Sequence, residues 1–160
     1  MSPSSLVVHI STSQAELGPD DIAKFKVTIS NPTTQPITVL TWSSPLDPKA
    51  AVSGIFKAVE VGDPEHKIIE GRKIMFRRVT PPPRTQLVEI LSGDDVTVEV
   101  ELPGFPFESG KSYQMRVEGR WMSAWFVEKD KVTADMLEEF GTKEEMTGIF
   151  RSNEVTISKA

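Results

Sequence analysis

The sequence contains no cysteine and only two histidines, and these absences exclude several kinds of site. Without cysteine the chain forms neither disulfides nor thiolate metal sites, and a Cys–His nucleophile pair is ruled out. His9 and His66 are far apart in sequence and form no His-Glu-x-x-His motif. There is also no Gly-x-Ser-x-Gly motif and no glycine-rich phosphate loop. We therefore expect a protein that is not an enzyme and that uses no metal or cofactor.

Long hydrophobic runs are also missing. No apolar stretch approaches the roughly 20 residues of a membrane-spanning helix, and the N-terminus shows no basic segment followed by an apolar run. We expect no membrane association, and either a cytoplasmic protein or a secreted one whose leader has been removed. The net charge of −5 argues against a nucleic-acid partner. A chain of 160 residues is expected to form one domain, residues 1–160, with a sizeable core.

Apolar and polar residues alternate over many short segments, as in half-buried β-strands. The segment 22–30 is the clearest, with Phe25, Val27 and Ile29 on one face. Similar alternation predicts strands at 6–11, 37–42, 55–61, 67–69, 73–79, 87–91, 96–102, 112–119 and 153–158. The turn spacing indicates an all-β, immunoglobulin-like antiparallel sandwich of about seven to nine strands. We expect the first three strands to form a meander.

The segment 37–46 is predicted to be a core strand that ends in a corner. Ser43, Ser44 and Pro45 stop the ladder, because proline has no N–H to donate. Trp42, at the end of the strand, is expected to be buried, with an indole N–H that needs a partner.

The pattern changes between residues 120 and 150. The segment 133–140 has helical spacing of its apolar residues, with Thr133 as the N-cap and Gly141 suited to the C-terminal end. A further helical turn or two is predicted within 142–150. We interpret 120–150 as a short helical and aromatic insertion before the last strand.

Two groups of residues are candidate surfaces. The aromatic group consists of Trp121, Met122, Trp125 and Phe126, residue types that are enriched in interface cores. These side chains either form a surface for a partner or ligand, or cover the open end of the sandwich beneath the predicted helix. Both alternatives remain open at this stage.

The basic group consists of Arg72, Lys73 and Arg77, next to Arg78; Arg72 directly precedes the strand predicted at 73–79, and the others lie on it. Alternation places Ile74, Phe76 and Arg78 on one face of that strand. A charged edge strand that resists unwanted pairing is the favoured interpretation. A strip that binds a partner is the alternative.

Several spaced motifs resemble the N-terminal prodomain of fungal and bacterial deuterolysin-type (aspzincin) metallopeptidases. They are Phe25-x-Val-x-Ile-x-Asn31-Pro, Val39-Leu40-x-Trp42-x-Ser-Pro45-Leu46, Gly54-Ile55-Phe56, the segment 69–81, the turn 91–95 and Gly110-x-x-Tyr113-x-Met115. The resemblance implies an immunoglobulin-like module, which in that family assists folding of the peptidase and keeps it inactive. These 160 residues contain no His-Glu-x-x-His motif of the family's peptidase domain, so no catalytic or metal residue is carried over.

Three hypotheses follow. The first is a non-catalytic module that binds a protein, with a metallopeptidase as the specific candidate and inhibition or chaperoning as the role. The second is a sandwich that binds a small ligand or has an unrecognised enzymatic activity, at the end near Trp42, Trp121 and Trp125. The third is an intracellular structural domain. The sequence leaves the oligomeric state open.

Overall fold

The computed structural model describes residues 2–160, and this part of the chain is mostly β. Twelve strands occur in it: β1 Val7–Ser11, β2 Glu16–Leu17, β3 Ala23–Ser30, β4 Ile37–Leu40, β5 Phe56–Glu60, β6 Ile68–Glu70, β7 Leu87–Ile90, β8 Asp95–Leu102, β9 Ser112–Trp121, β10 Ala124–Trp125, β11 Gly148–Arg151 and β12 Val155–Lys159. The α-helix, α1, is Ala134–Glu138, and turns of 3-10 helix lie at Pro3–Ser5, Ala50–Val52, Arg84–Gln86, Lys129–Lys131 and Glu144–Met146. The predicted all-β sandwich is confirmed.

The strands form three sheets. The first has the order β1-β3-β8, and all of its pairs are antiparallel. The second has the order β2-β12-β9-β5-β6, and β11 pairs with the far end of β9. The third is the small sheet β10-β4-β7. The strands outnumber the roughly seven to nine predicted, because β2, β10 and β11 were not expected from the sequence.

The main core joins the apolar faces of the first two sheets and also includes Ile37, Val39, Ile90 and Ala124 of the small sheet. In β3 the residues Ala23, Phe25, Val27 and Ile29 are buried and alternate with polar neighbours. The Phe25 ring meets the Phe56 ring of β5 at 5.9 Å between centroids, and this contact joins the two sheets. Burial of these apolar faces is the main term that stabilises the sandwich.

The predicted meander is wrong, because β4 does not pair with β3. Strand β4 instead lies between β7 and β10 in the small sheet. Its four residues are all buried, so it needs cover on both faces. Asn31 supports the departure from β3, because its side-chain N–H groups donate to the carbonyl oxygens of Gln35 and Ile90.

The strand predicted at 73–79 is also wrong, since residues 71–79 belong to no sheet. Alternation of apolar and polar residues predicts only that a segment is extended and that one of its faces points inward. It does not say whether a partner strand lies alongside.

The predicted helix is present as α1, and Thr133 is its N-cap as expected. Gly141 follows it with a φ of 68°, a conformation that glycine adopts readily. The helical prediction for 142–150 holds only for the 3-10 turn Glu144–Met146. Strand β11 begins at Gly148, with Ile149 exposed and Phe150 buried, which is the two-residue period of a strand.

Candidate functional site

The two tryptophans of the aromatic group lie inside the protein. Trp121 is 0% exposed and packs against Phe150, with 4.8 Å between ring centroids. Trp125 is 4% exposed and belongs to a second apolar cluster with Trp42. Neither indole therefore offers a surface to a partner. Met122 is exposed and Phe126 is half-buried, and both stand beside these core residues.

The insertion packs onto the Trp-rich end of the sandwich and fills it. The second cluster consists of Leu40, Trp42, Leu87, Trp125, Val132, Leu137 and Met146, with Val127, Met136 and Phe140 against it. Phe140 meets Trp42 edge-on at 5.4 Å between centroids, a favourable aromatic geometry. The indole N–H of Trp42 donates to the side-chain oxygen of Gln86. Trp42 is thus a buried corner residue, as its place in the sequence predicts.

The three residues of the basic group lie together on one exposed segment, residues 71–80, which we name the basic arm. Burial alternates along it as in an extended strand: Ile74, Phe76 and Arg78 are half-buried, and Lys73, Met75, Arg77 and Val79 are exposed. Met75 is 88% exposed and Val79 is 74% exposed. The inward face predicted from the sequence therefore exists, although the arm pairs with no strand.

The main chain of the basic arm is almost unpaired. Within residues 2–160 its one main-chain hydrogen bond runs from the Ile74 N–H to the Val52 carbonyl oxygen, at 2.8 Å. Lone extended backbone of this kind can still accept a further strand along its edge.

A side-chain contact holds the arm to the body of the sandwich. The Arg78 guanidinium donates to the Asp47 Oδ2 atom at 2.7 Å, and it lies 5.4 Å from the centroid of both the Trp42 and the Phe76 rings. Lys49 approaches the Phe76 ring at 5.8 Å. We name the Asp47–Arg78 pair the latch.

Hydrogen bonds within the corner after β4 hold the Asp47 carboxylate in the position where it meets Arg78. Asp47 Oδ2 also accepts from the Ser43 N–H at 2.9 Å, and Asp47 Oδ1 accepts from the Lys49 N–H at 3.0 Å. Ser43 has a φ of 54°, which turns the chain sharply at this point. Sequence reasoning missed Asp47. The available signal was a single acidic residue between Pro45 and Pro48, at the corner that had already been predicted.

The outward row of the arm is strongly basic and unneutralised. Between residues 71 and 80 the sequence holds four basic residues and no acidic one, and of the four Arg78 is paired with Asp47. Arg72, Lys73 and Arg77 are exposed, and no ion pair involves them within the described chain from Ser2 to Ala160. The surface therefore combines positive charge with two exposed apolar side chains, Met75 and Val79.

A second feature is a cleft of about 480 Å³ on the outer face of the second sheet, lined in part by Val59, His66, Ile68, Gln114, Arg116 and Arg151. Beside it, Glu118 lies 3.0 Å from Arg116, 3.5 Å from Lys57 and 3.7 Å from Arg151. The hydrogen bond from Arg116 lowers the pKa of the Glu118 carboxyl below its ordinary value. The cleft is therefore a polar groove whose charges already neutralise one another.

The two histidines are not brought together. His9 is exposed on β1, and His66 lies in the turn between β5 and β6 with a φ of 49°. Across residues 2–160 no three His, Cys, Asp or Glu side chains are grouped in a way that could hold a metal ion. None of the helices in that range has the length and apolarity needed to cross a bilayer.

A family model for an immunoglobulin-like domain matches residues 7–159. The chain belongs to this immunoglobulin-like domain family. The predicted immunoglobulin-like class of the sandwich is thereby confirmed. The match spans both large sheets, the basic arm and the insertion at 120–150.

Two individual proteins are similar to this immunoglobulin-like chain. An uncharacterized secreted protein of Arthroderma benhamiae is 35% identical over 140 residues, which cover 85% of this chain and 69% of the relative. Among solved structures, the ASH/PapD-like domain 7 of human CEP192 aligns with 100% of this chain and 91% of its own, at a TM-score of 0.34 and 11% identity.

Proposed function

We propose that this immunoglobulin-like domain is a secreted, non-catalytic module that binds a protein partner through the basic arm. The observation that carries the proposal is the outward row of the arm. Lys73, Met75, Arg77 and Val79 are exposed on a segment whose inward side chains hold it to the fold. The row therefore has the extended conformation that a peptide adopts when it binds a partner as an added strand.

An arm that is ordered before it meets a partner binds more favourably, because less conformational entropy is lost on binding. A flexible peptide loses conformational entropy when it is ordered by a partner, whereas the arm is ordered already by the latch and by Phe76. Its unpaired main chain can supply hydrogen bonds to a partner strand, and alternate side chains can supply specificity. Both properties support protein binding more directly than catalysis.

The location and partner class have separate support. The relative from Arthroderma benhamiae is named as a secreted protein, which supports secretion of this chain. The prodomain-like motifs between residues 25 and 115 support a metallopeptidase as the partner, with inhibition or assisted folding as the outcome. The basic arm lies within the segment that carries those motifs.

The test uses the full chain on a biosensor surface, with a deuterolysin-type metallopeptidase as the analyte. The variant R72E/K73E/R77E reverses the exposed charge of the arm without touching the latch. A matched control, K26E/K131E/K143E, makes the same charge change at exposed lysines outside the arm. We expect binding by the wild type and the control, and a loss of about 30-fold or more in the arm variant.

Two outcomes would contradict this proposal in different ways. Absence of binding by the wild type removes the metallopeptidase as the partner. Binding that survives the arm variant overturns the arm as the contact surface.

The cleft on the second sheet favours a second candidate function, the binding of a small ligand. Its lining combines the guanidinium groups of Arg116 and Arg151 and the carboxylates of Glu60 and Glu154 with apolar side chains. Because both signs of charge are present, the ligand chemistry that fits is an apolar amino acid, a carboxylate that also carries an ammonium group. The Trp42 and Trp125 side chains at the other candidate end are buried among packed apolar side chains. A thermal-shift screen of apolar amino acids, with R151A as the control variant, tests this candidate; no shift by any of these amino acids would remove it.

A further inference from the structure

We propose that the basic arm occupies the active-site cleft of an endopeptidase with an acidic specificity pocket, with Arg77 as the residue that fills the pocket. This inference rests on the proposed function, because it takes the arm as the surface that binds the partner and adds the kind of cleft that the arm would enter. The arm would act as a slowly cut, substrate-like strand.

The backbone of the arm has the form that a peptidase cleft takes. An extended peptide that enters a groove adds as a strand, through hydrogen bonds from its main chain. From Met75 to Thr80 the arm makes no main-chain hydrogen bond to any other part of the described chain, residues 2–160. Those groups are available to a partner without breaking a sheet.

The side chains select Arg77 over Lys73. Arg77 is exposed and makes no ion pair within residues 2–160, so its guanidinium can enter an acidic pocket of the kind that confers specificity for basic residues. Lys73 instead lies against Gly54, where a Cβ atom would meet the Lys73 Cδ atom at 3.0 Å. The peptide bond after Lys73 is also tied down, because the Ile74 N–H donates to Val52.

The neighbours of Arg77 on the same face fit an extended mode of binding. Met75 and Val79 stand two residues away on either side, at a spacing of about 6.6 Å for an extended chain. Both are exposed and apolar, and both can fill shallow pockets beside the main one.

Both sides of the Arg77–Arg78 bond are held to the protein. On one side the Phe76 ring lies 5.4 Å from the Arg78 guanidinium and 5.8 Å from Lys49. On the other side Arg78 is bound to Asp47 at 2.7 Å. Cutting the bond between them would therefore leave both new ends in place.

The chemistry explains why held ends slow the reaction. Water adds to the carbonyl carbon of Arg77, the C–N bond to Arg78 breaks, and the leaving nitrogen takes a proton. A carboxylate on Arg77 and an amino group on Arg78 result. Because the latch keeps that amino group beside the Arg77 carboxyl group, the reverse reaction competes with release: the amine attacks the carboxyl carbon, the C–N bond forms again and water leaves, as expected for groups held in proximity. The arm should then inhibit the peptidase rather than be consumed by it.

The experiment uses the full chain with trypsin, whose pocket is acidic, and with chymotrypsin, whose pocket is apolar, as the specificity control. Hydrolysis of a chromogenic substrate reports competition, and mass spectrometry identifies the bond that is cut. We expect competitive inhibition of trypsin alone, with slow cleavage confined to Arg77–Arg78. R77A should weaken inhibition by about 30-fold or more, whereas R77K and the exposed control K26A should retain it.

The latch is tested with R78Q, which keeps Arg77 but releases the arm from Asp47. We expect cleavage after Arg77 to become at least about tenfold faster, and inhibition to become transient. Cleavage of R78Q at many sites would indicate that this variant is unfolded. In that case R77A and R77K test the inference, because Arg77 is exposed and its substitution should leave the fold intact.

Equal inhibition by the wild type and R77A overturns the inference, as does cleavage of the wild type mainly at other sites. Cleavage of the wild-type arm as fast as that of R78Q overturns the role of the latch. These outcomes can be distinguished from failure of the proposed function, because that function is tested by a different measurement: the binding of a metallopeptidase to the wild type and to R72E/K73E/R77E. A chain that binds the metallopeptidase through the arm but does not inhibit trypsin keeps the function and loses this inference.

Discussion

Arg78 and Asp47, which are 31 residues apart in sequence, meet at 2.7 Å, and the Asp47 side chain is only 1% exposed. The Asp47 carboxylate also accepts two main-chain N–H bonds at the corner after β4. One carboxylate therefore stabilises the corner and attaches the basic arm to it.

Replacing Asp47 by alanine should destabilise the protein by about 3 kcal/mol, because it leaves two N–H groups and one guanidinium without their partner. Urea unfolding followed by circular dichroism measures the change. The control is Asp20→Ala, at an exposed turn position. Equal stability of the two variants would show that Asp47 does not support the corner.

The aromatic segment should behave as core. Trp121 is fully buried against Phe150, whereas its neighbour Met122 is exposed. We expect Trp121→Ala to lower the free energy of unfolding by about 3–5 kcal/mol and Met122→Ala to change it by less than about 1 kcal/mol. Urea titration compares the two variants. A small loss in both would indicate that Trp121 is available at the surface.

Asn153 should act as a clamp between the last strand and β1. Its Oδ1 atom accepts from the Ile10 N–H at 2.8 Å, and its Nδ2 atom donates to the Ile10 carbonyl oxygen at 3.0 Å. The side chain thus makes the two bonds that a neighbouring strand would make. Asn153→Ala should cost about 1–3 kcal/mol, since both groups lose their partner.

Hydrogen exchange provides the matching measurement for this clamp. The Ile10 amide should exchange faster in Asn153→Ala and stay protected in the neighbouring control Glu154→Gln. Unchanged protection of Ile10 in Asn153→Ala would contradict the clamp.

Acid should weaken the second sheet through Glu118. Its folded-state pKa is lowered from the ordinary 4.5, chiefly by the hydrogen bond from Arg116. A lowered folded pKa means that the ionised carboxylate stabilises the fold above the unfolded pKa, and that this contribution is lost as the pH falls through the folded pKa. The stability advantage of the wild type over Glu118→Gln should therefore be constant at neutral pH and shrink below pH 4.5.

Urea midpoints of both proteins between neutral and strongly acidic pH would show this trend. The comparison with Glu118→Gln removes the common effect of the other carboxylates. A difference that does not vary with pH would mean that the charge of Glu118 contributes nothing to stability.

The sequence predicted much of the fold and part of the candidate site. Period-two alternation located β3, β8 and β9 closely, because the same residues that alternate in polarity line the core. It also identified Arg72, Lys73 and Arg77 as one group, and Ile74, Phe76 and Arg78 as the inward face beside them. Capping chemistry predicted the start of α1, since the Thr133 hydroxyl accepts from the main-chain N–H of Met136 in the first turn of the helix.

Strand pairing and burial could not be predicted in the same way. The small sheet around β4 depends on β7 and β10, which lie about fifty and ninety residues further along the chain. The residue types at positions 121 and 125 do not predict burial, because tryptophan is common both in protein cores and in interfaces. Their burial depends on α1 and on β11 being folded over them.

Local pattern thus determined which side chains of this protein point together, because alternation and capping act between near neighbours. The tertiary structure alone decided that residues 71–80 stand apart from every sheet and that Asp47 holds them through Arg78. That contact joins residues far apart in sequence, and no local rule relates a carboxylate at a proline corner to a guanidinium on a distant extended segment.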